Sequence, residues 1–289
     1  MYQLNLAELS VSDFLNNYWQ KVPLLIKNGF KNFADPLSAD ELAGLAQDEE
    51  IESRIVSCEG QQWDMQTGPF DDFSQLGEKN WTLLVQAVDH WHPMAARLID
   101  PFRFIPNWRI DDLMVSFSTP GGGVGPHLDQ YDVFIIQGEG RRHWRAGMPD
   151  PSLQQLCPHP RLLQVSPFNA CIDVITEPGD ILYIPPRCPH DGISLENSLN
   201  YSVGFRAPAQ KDLLTGLADY LIDHDVTGKR FTDPARQASA SVGAIEKTDL
   251  QKVRQLMQEL VEDDSMLPNW FGSLITRAKH ELDLNEPDP

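Results

Sequence analysis

The chain has 289 residues, of which 41% are hydrophobic and 22% charged, proportions that fit a globular protein and exclude a disordered one. Its formal net charge of −19 predicts that it does not bind nucleic acid directly, because neutralising phosphates requires a basic surface. An acidic surface instead favours a basic polypeptide as partner. No apolar run is long enough to cross a bilayer, so we expect no membrane association.

The cysteines and the N-terminus bear on the compartment. The chain contains four cysteines, Cys58, Cys157, Cys171 and Cys188. Their spacing fits neither a zinc site nor the disulfide framework of a small secreted domain. The first residues lack the basic and apolar regions of a signal peptide. These observations together predict a cytoplasmic protein.

Helices and short strands alternate in the N-terminal part of the sequence. Ser10 and Ser38 each occupy the N-cap position of a predicted helix, and Glu41 completes a capping box with Ser38. Residues 23–26 predict a short strand, and residues 54–58 predict an edge strand.

A further helix is predicted over residues 79–98, around the apolar run that begins at Trp81. His90 and His92 fall at its end. Because side chains two positions apart diverge on a helix, we expect this pair to be structural and not a metal site.

The middle of the chain has the pattern of a β-barrel. Over residues 111–206, short strands alternate with glycine and proline turns, as a small antiparallel barrel requires. After Pro208 the periodicity becomes helical, at residues 212–222 and 249–260, with a polar stretch at residues 228–247 between them. The predicted fold class is therefore α+β with a mainly β core and a C-terminal helical region.

A metal site is predicted in the barrel. His127 and Asp129 follow a glycine-rich turn at residues 121–125 and open a strand-like run, so both side chains should point to one face. His190 ends a second strand-like segment. Two imidazoles and one carboxylate leave coordination positions open, as non-haem Fe(II) oxygenases require. The alternative is that His127 and His190 are hydrogen-bonded histidines at the barrel mouth.

A second set of polar residues suits a dicarboxylate. Arg142 lies in a basic strand between Arg141 and Arg145, and an inward-pointing guanidinium would bind a carboxylate through two hydrogen bonds. We expect Arg141 and Arg145 to be exposed. Asn200 and Ser202 share one face of a later strand, where they either add hydrogen bonds inside the barrel or are satisfied by backbone groups.

Three stretches of the sequence, residues 14–26, 104–116 and 200–208, resemble the JmjC-type 2-oxoglutarate oxygenases, and specifically their cupin-4 branch of ribosomal oxygenases. The resemblance implies a double-stranded β-helix, the cupin or JmjC jelly-roll barrel, with flanking helices. It also implies Fe(II) as cofactor, with 2-oxoglutarate and O2 as co-substrates.

The resemblance carries over to individual residues. It implies that His127, Asp129 and His190 bind Fe(II) and that Arg142, at the position of the family's basic residue, holds the C5 carboxylate of 2-oxoglutarate. The other residues assigned to the co-substrate pocket are Ser118, Asn200 and Ser202.

The implied domain organisation has two parts. Residues 1–208 form the catalytic domain, with an α/β elaboration over residues 1–100, and residues 209–289 form a helical region expected to make a homodimer. Bacterial members of this family usually continue into a winged-helix-like domain, whereas this sequence ends at Pro289.

The implied activity is protein hydroxylation. Bacterial members with these motifs hydroxylate an arginine of the large-subunit ribosomal protein L-sixteen, a basic substrate that suits an acidic protein. Three alternatives remain at the level of sequence: a histidyl hydroxylase of another ribosomal protein, an N-methyl-lysine demethylase, and a non-catalytic cupin-like binding module.

Overall fold

A computed structural model describes residues 2–226, 228–239, 241–262 and 264–276. Contacts within the chain divide it into two units, Met1–Ala207 and Pro208–Pro289. The boundary lies next to Pro208, where the sequence pattern becomes helical. None of the helices in these described segments is both long enough and apolar enough to cross a membrane.

The first helices of the chain begin where the sequence predicts. Helix α1 (Val11–Asn17) begins after Ser10, whose side chain accepts a hydrogen bond from the Asp13 backbone N–H. Helix α2 (Ala39–Leu45) begins after Ser38, and Glu41 completes the predicted capping box. Reciprocal capping of this kind satisfies N–H groups that a short helix otherwise leaves unpaired.

The first unit contains two main antiparallel sheets. The larger has eight strands in the order β1-β11-β6-β13-β5-β4-β2-β3, the smaller has the order β10-β7-β12, and β8 and β9 form a separate hairpin. The strands are β1 (Leu24–Ile26), β2 (Ser53–Glu59), β3 (Gln62–Thr67), β4 (Trp81–Val85), β5 (Ile110–Ser118), β6 (Val133–Gln137), β7 (Arg142–Gly147), β8 (Gln155–His159), β9 (Leu162–Val165), β10 (Ala170–Thr176), β11 (Ile181–Ile184), β12 (His190–Ser194) and β13 (Ser198–Phe205). The predicted mainly β, antiparallel core is therefore confirmed.

Two sequence predictions in the N-terminal part are wrong. Residues 79–98 do not form one helix, because β4 (Trp81–Val85) is a strand and only the short helices α3 (Val88–Trp91) and α4 (Pro93–Ala96) follow it. Strand β2 is not an edge strand, since it pairs with both β3 and β4. Two 3-10 turns, Asp100–Phe102 and Asn107–Arg109, lead into β5.

One face of the large sheet packs against the N-terminal elements. Phe134 on β6 is fully buried, and its ring centroid lies 4.5 Å from that of Phe102 and 5.5 Å from that of Phe14 on α1. Phe14 also makes an edge contact with Tyr183 on β11, at 5.0 Å. Because strand side chains alternate, Val133 and Ile135 on the same strand point to the other face, toward the barrel interior.

The second unit is helical. Its described helices are α5 (Gln210–Asp223), α6 (Lys247–Val261) and α7 (Met266–Thr276), and the sequence predicted the first two but not the third. Within the predicted polar stretch, the described residues before α6 form neither helix nor strand. On α5, Leu217 is buried whereas Leu214 is 56% exposed.

Candidate active site

A cavity of about 330 Å³ lies between the inner face of the large sheet and the small sheet. Strand register determines which side chains form its floor. Ser116 on β5 pairs with Asn200 on β13 and with Leu84 on β4. Leu84 pairs in turn with Arg54 on β2. Paired residues in antiparallel strands have side chains on the same face, so all four line the cavity. His190 lines the opposite wall from β12.

The two histidines predicted as metal ligands are neighbours across a short backbone bridge. The N–H of His127 donates to the carbonyl of His190 at 2.9 Å, and the N–H of His190 donates to the carbonyl of His127 at 2.9 Å. The ring centroids are 4.2 Å apart. This bridge brings residues that are far apart in sequence to one point of the cavity wall.

The local prediction for these residues needs correction. His127 and Asp129 do not open a regular strand, because β6 begins only at Val133 and His127 forms an isolated bridge with His190. His190 does not end the apolar strand β11 but begins β12. The side chains nevertheless converge, through the bridge and not through period-two alternation along one strand.

Backbone carbonyls orient both imidazoles. The Nδ1 of His127 lies 2.9 Å from the Gly125 carbonyl oxygen, and the Nδ1 of His190 lies 3.1 Å from the Cys188 carbonyl oxygen. Because a carbonyl only accepts, each Nδ1 must carry the proton, which leaves each Nε2 with a lone pair for a metal. Burial, followed by the neighbouring His127, lowers the pKa of His190, so this ring is neutral at neutral pH.

The donor atoms fit a metal ion. One ligand atom from each of His127, Asp129 and His190 lies within 4.8 Å of the others, and this is the one such group of three among the residues described. Asp129 Oδ2 is 3.6 Å from His190 Nε2, too long for a hydrogen bond but suitable for a shared ion. Two imidazoles and one carboxylate are the donor set of the non-haem Fe(II) facial triad.

A buried cation lies at another part of the cavity. Arg142 is 4% exposed, and its Nη2 donates to Ser118 Oγ at 2.5 Å and to Ser198 Oγ at 3.4 Å. Its guanidinium carbon lies 5.7 Å from the ring centroid of Trp144. Burial lowers the pKa of Arg142 to about 10, so the group remains charged at neutral pH. Without a bound anion, such a charge is costly to bury.

The other predicted pocket residues also lie here. Asn200 is 1% exposed, and neither polar atom of its amide has a hydrogen-bond partner among the residues that the structure describes. Arg142 Nε is likewise buried and has no partner among these residues. Ser202, half-buried, lines the cavity, whereas Ser118 is fully buried and reaches the cavity through its contact with Arg142. Unpaired buried polar atoms are rare in native proteins, and here they indicate a polar ligand.

Other predicted residues lie outside the cavity lining. His92 Nδ1 accepts a hydrogen bond from the Ala95 N–H and caps α4, in line with the structural role predicted for it. Arg141 is exposed and pairs with Glu196 at 2.9 Å. Arg145 is more than a third exposed on the outer face of the small sheet, 3.7 Å from Asp173.

Sequence reasoning missed seven polar residues of the cavity lining: Arg54, Thr82, Gln86, Asp112, Ser116, Tyr131 and Arg161. Asp112 accepts hydrogen bonds from the Gln86 side chain at 2.7 Å and the Ala87 N–H at 3.1 Å. Burial and the charge of Asp129 raise the pKa of Tyr131, which is therefore uncharged. The one available signal was strand register, which needs the pairing partners to be known.

Comparisons with known proteins agree with this geometry. A family model described as the JmjC domain matches residues 97–213. The chain is 53% identical over 288 residues to the ribosomal protein uL16 3-hydroxylase of Escherichia coli, an alignment that covers 100% of this chain and 76% of that relative.

A solved structure and a more distant relative extend the comparison. The structure of YcfD, a ribosomal oxygenase from Escherichia coli in complex with cobalt and 2-oxoglutarate, matches with a TM-score of 0.90 at 51% identity, covering 100% of this chain and 76% of that one. A bifunctional lysine-specific demethylase and histidyl-hydroxylase, NO66 from Aedes aegypti, is 25% identical over 62% of this chain and 30% of its own length.

The fold, the metal-ligand triad and the buried cation agree with the similarity of the whole of this chain to a bacterial hydroxylase. The alignment extends over both units of the chain, and the structural match confirms the jelly-roll oxygenase fold. The chain belongs to the JmjC-type ribosomal oxygenases.

Proposed function

We propose that this protein is an Fe(II)- and 2-oxoglutarate-dependent hydroxylase that acts on an arginine of ribosomal protein uL16. The observation that carries the proposal is that one cavity contains two groups: the triad His127, Asp129 and His190, and the buried Arg142, whose Nε has no partner among the described residues. The triad suits a metal with open coordination positions. The arginine suits the distal carboxylate of a dicarboxylate.

Each residue of the site has a defined task in this proposal. His127, Asp129 and His190 hold the iron on one side, and the Gly125 and Cys188 carbonyls fix the orientation of the two rings. Bound Fe(II) supplies O2 activation coupled to the oxidation of 2-oxoglutarate to succinate and carbon dioxide. The protein's own contribution is to position the reactants and to exclude water.

In this proposal the co-substrate is bound by polar groups of the cavity, some of whose atoms have no hydrogen-bond partner among the described residues. Arg142 binds the C5 carboxylate of 2-oxoglutarate through a charge-assisted contact that neutralises the buried guanidinium. Ser118 orients that guanidinium, and Asn200 offers an amide donor and acceptor that have no other partner in the described part of the chain. Ser202 adds a hydroxyl on the same face of β13.

The substrate assignment is supported by the relatives. The uL16 3-hydroxylase is 53% identical over the whole of this chain, whereas the demethylase and histidyl-hydroxylase is 25% identical over 62% of it. The cavity also contains Asp112, a carboxylate that is not one of the proposed metal ligands. A basic target side chain suits such a carboxylate. A ribosomal protein substrate also favours a cytoplasmic location, and the net charge of −19 disfavours direct binding to nucleic acid.

Intact-mass and peptide mass spectrometry tests the proposal directly. Purified uL16 is incubated with the enzyme, Fe(II), 2-oxoglutarate and O2, and we expect one added oxygen atom on an arginine and one succinate per modification. An added oxygen on a histidine would indicate a histidyl hydroxylase. Formaldehyde release from a methyl-lysine peptide would indicate a demethylase, and no turnover with any substrate would indicate a binding module.

We further propose that the helical unit forms a homodimer. Leu214 and Ile222 on α5 are 56% and 76% exposed within the chain, and exposed apolar side chains of this size favour an interface. A two-fold symmetric dimer is the default assembly for such a surface.

Sedimentation measures this assembly state. We expect a dimer at tens of micromolar, and a monomer after the double substitution Leu214→Glu and Ile222→Glu, because two buried charges would destabilise the interface. Leu195→Glu provides the matched control, since Leu195 is 42% exposed in the catalytic unit and should leave the dimer intact. A wild-type monomer at this concentration would contradict the proposal.

A further inference from the structure

The charges at the cavity are opposite to those of the protein as a whole. The chain has a net charge of −19, yet three arginines and two aspartates line the cavity: Arg54, Arg142, Arg161, Asp112 and Asp129. In the proposed function, Asp129 binds the metal and Arg142 binds the co-substrate. Two arginines and one aspartate then remain to meet the substrate.

Strand register places Arg54 at the edge of the cavity. Its neighbour Ile55 is 3% exposed and belongs to the core on the other face of the sheet, so the Arg54 side chain points into the barrel. The register pairs connect Asn200 on β13 to Arg54 on β2 through one residue each on β5 and β4. These three strand spacings put the Cα atoms of Asn200 and Arg54 about 14 Å apart. Arg54 thus lies three strands away from Asn200, one of the proposed co-substrate residues.

The second arginine comes from another element and reaches the same place. Arg161, in the turn between β8 and β9, donates from Nη1 to Thr67 Oγ1 at 3.3 Å. Thr67 on β3 is the register partner of Arg54 on β2. The Cβ atoms of directly paired residues lie about 5 Å apart. The Arg161 guanidinium, bound to Thr67, therefore lies near the base of the Arg54 side chain and within reach of the Arg54 guanidinium.

Neither arginine is neutralised by the protein itself. Among the described residues, no hydrogen bond or ion pair engages the guanidinium of Arg54, and Arg161 contacts only a neutral hydroxyl. The carboxylate of Asp112 lines the same cavity, where it accepts hydrogen bonds from Gln86 and Ala87. Arg54 is half-buried and Arg161 is exposed. Two neighbouring cations that have no carboxylate partner among the described residues suit an anionic group of a bound ligand.

We propose that Arg54 and Arg161 form a specificity subsite that binds a carboxylate side chain of the substrate polypeptide, close in sequence to the hydroxylated residue. The subsite rests on the proposed function, because it presumes a polypeptide substrate whose target side chain enters the cavity. An extended chain advances about 3.3 Å per residue, so a carboxylate within three residues of the target stays within about 10 Å of it. A lysine or arginine at the same position would be repelled.

A charge series on a substrate peptide tests this subsite. A uL16 peptide that contains the target arginine is prepared with glutamate or glutamine at each of the three positions on either side. For the wild type, we expect kcat/KM for at least one glutamate peptide to exceed that of its glutamine match by about fivefold, the scale of a partly solvated ion pair. In the double variant Arg54→Gln and Arg161→Gln, this ratio should fall to about one.

Two further variants make the result specific. Arg54→Glu should invert the preference, so that a lysine peptide becomes better than the glutamate peptide at that position. Arg141→Gln removes an exposed arginine of the barrel outside the cavity lining and should keep the wild-type ratio. Circular dichroism and thermal unfolding confirm that each variant is folded.

The outcomes separate this subsite from the function on which it rests. If wild-type enzyme hydroxylates the peptides but shows no glutamate preference at any position, or if the double variant keeps the wild-type ratio, the subsite is wrong and the proposed function stands. If the double variant instead raises KM for 2-oxoglutarate at an unchanged peptide ratio, the arginines serve the co-substrate and the subsite is also wrong. If full-length uL16 gains no oxygen, the proposed function is wrong, and the subsite, which depends on it, is wrong as well.

Discussion

Asp129→Ala is expected to abolish hydroxylation while the protein stays folded. Asp129 supplies the one carboxylate of the proposed metal site, and without it two neutral imidazoles remain, which bind Fe(II) weakly. Asp129 Oδ2 lies 3.6 Å from His190 Nε2, so its removal breaks no hydrogen bond between these side chains. We therefore expect the free energy of unfolding of the metal-free protein to change by less than about 1 kcal/mol.

Three measurements check this expectation. Peptide mass spectrometry should show no added oxygen, metal analysis after desalting should show loss of stoichiometric iron or cobalt, and thermal unfolding should match that of the metal-free wild type. Asp173→Ala is the matched control, since Asp173 lies on the outer face of the small sheet, where it accepts a hydrogen bond from His143 at 2.6 Å. Stoichiometric metal together with persistent hydroxylation in Asp129→Ala would show that the ligand assignment is wrong.

The sequence predicted the members of the site better than the elements that carry them. The residues His127, Asp129 and His190 do converge, but through a backbone bridge between the irregular segment at His127 and the start of β12, and not along one regular strand. The three ligands could be predicted because His127 and Asp129 follow a glycine-rich turn and His190 follows an apolar strand, a context that a chance His-x-Asp pair lacks. The bridge depends on long-range pairing, which a local pattern does not contain.

The error at residues 79–98 has a physical cause. The run that starts at Trp81 is apolar at successive positions, and such a run does not distinguish a buried strand from a buried helix. The structure resolves the ambiguity through pairing, since β4 lies between β2 and β5 and is covered on both faces. A strand buried on both faces loses the polar alternation that would have revealed it.

The position of Arg54 and Arg161 at the cavity could not be predicted from the sequence, for a different reason. Arginine is common on protein surfaces, and neither residue stands in a motif. Their position at the cavity follows from the register of β2 with β3 and β4 and from the path of the β8–β9 hairpin. Asn200 and Ser202, by contrast, were found because two residues on one strand share a face regardless of what pairs with that strand.

Arg142→Ala is expected to raise KM for 2-oxoglutarate by about tenfold or more, since the loss of a charge-assisted hydrogen bond costs roughly 1.5–3 kcal/mol. Arg142 is 4% exposed and its pKa, lowered by burial to about 10, keeps it charged at neutral pH, so it offers the co-substrate a fixed and desolvated cation. Arg142→Lys keeps the charge but not the planar fork, and it should fall between the wild type and the alanine variant. Metal binding should change little, because Arg142 is not one of the three ligands.

The measurement for Arg142 combines kinetics with ligand-induced stabilisation. Added 2-oxoglutarate should raise the Tm of the cobalt-loaded wild type, because a ligand that binds only the folded state stabilises it, whereas the Tm of Arg142→Ala should respond only at much higher concentrations. Arg145→Ala tests the location, since Arg145 lies on the same strand with its guanidinium over Phe168, on the opposite face of the small sheet from the cavity. If Arg142→Ala keeps the wild-type dependence on 2-oxoglutarate in both assays, the carboxylate is bound by another basic residue, and the buried charge of Arg142 requires a different partner.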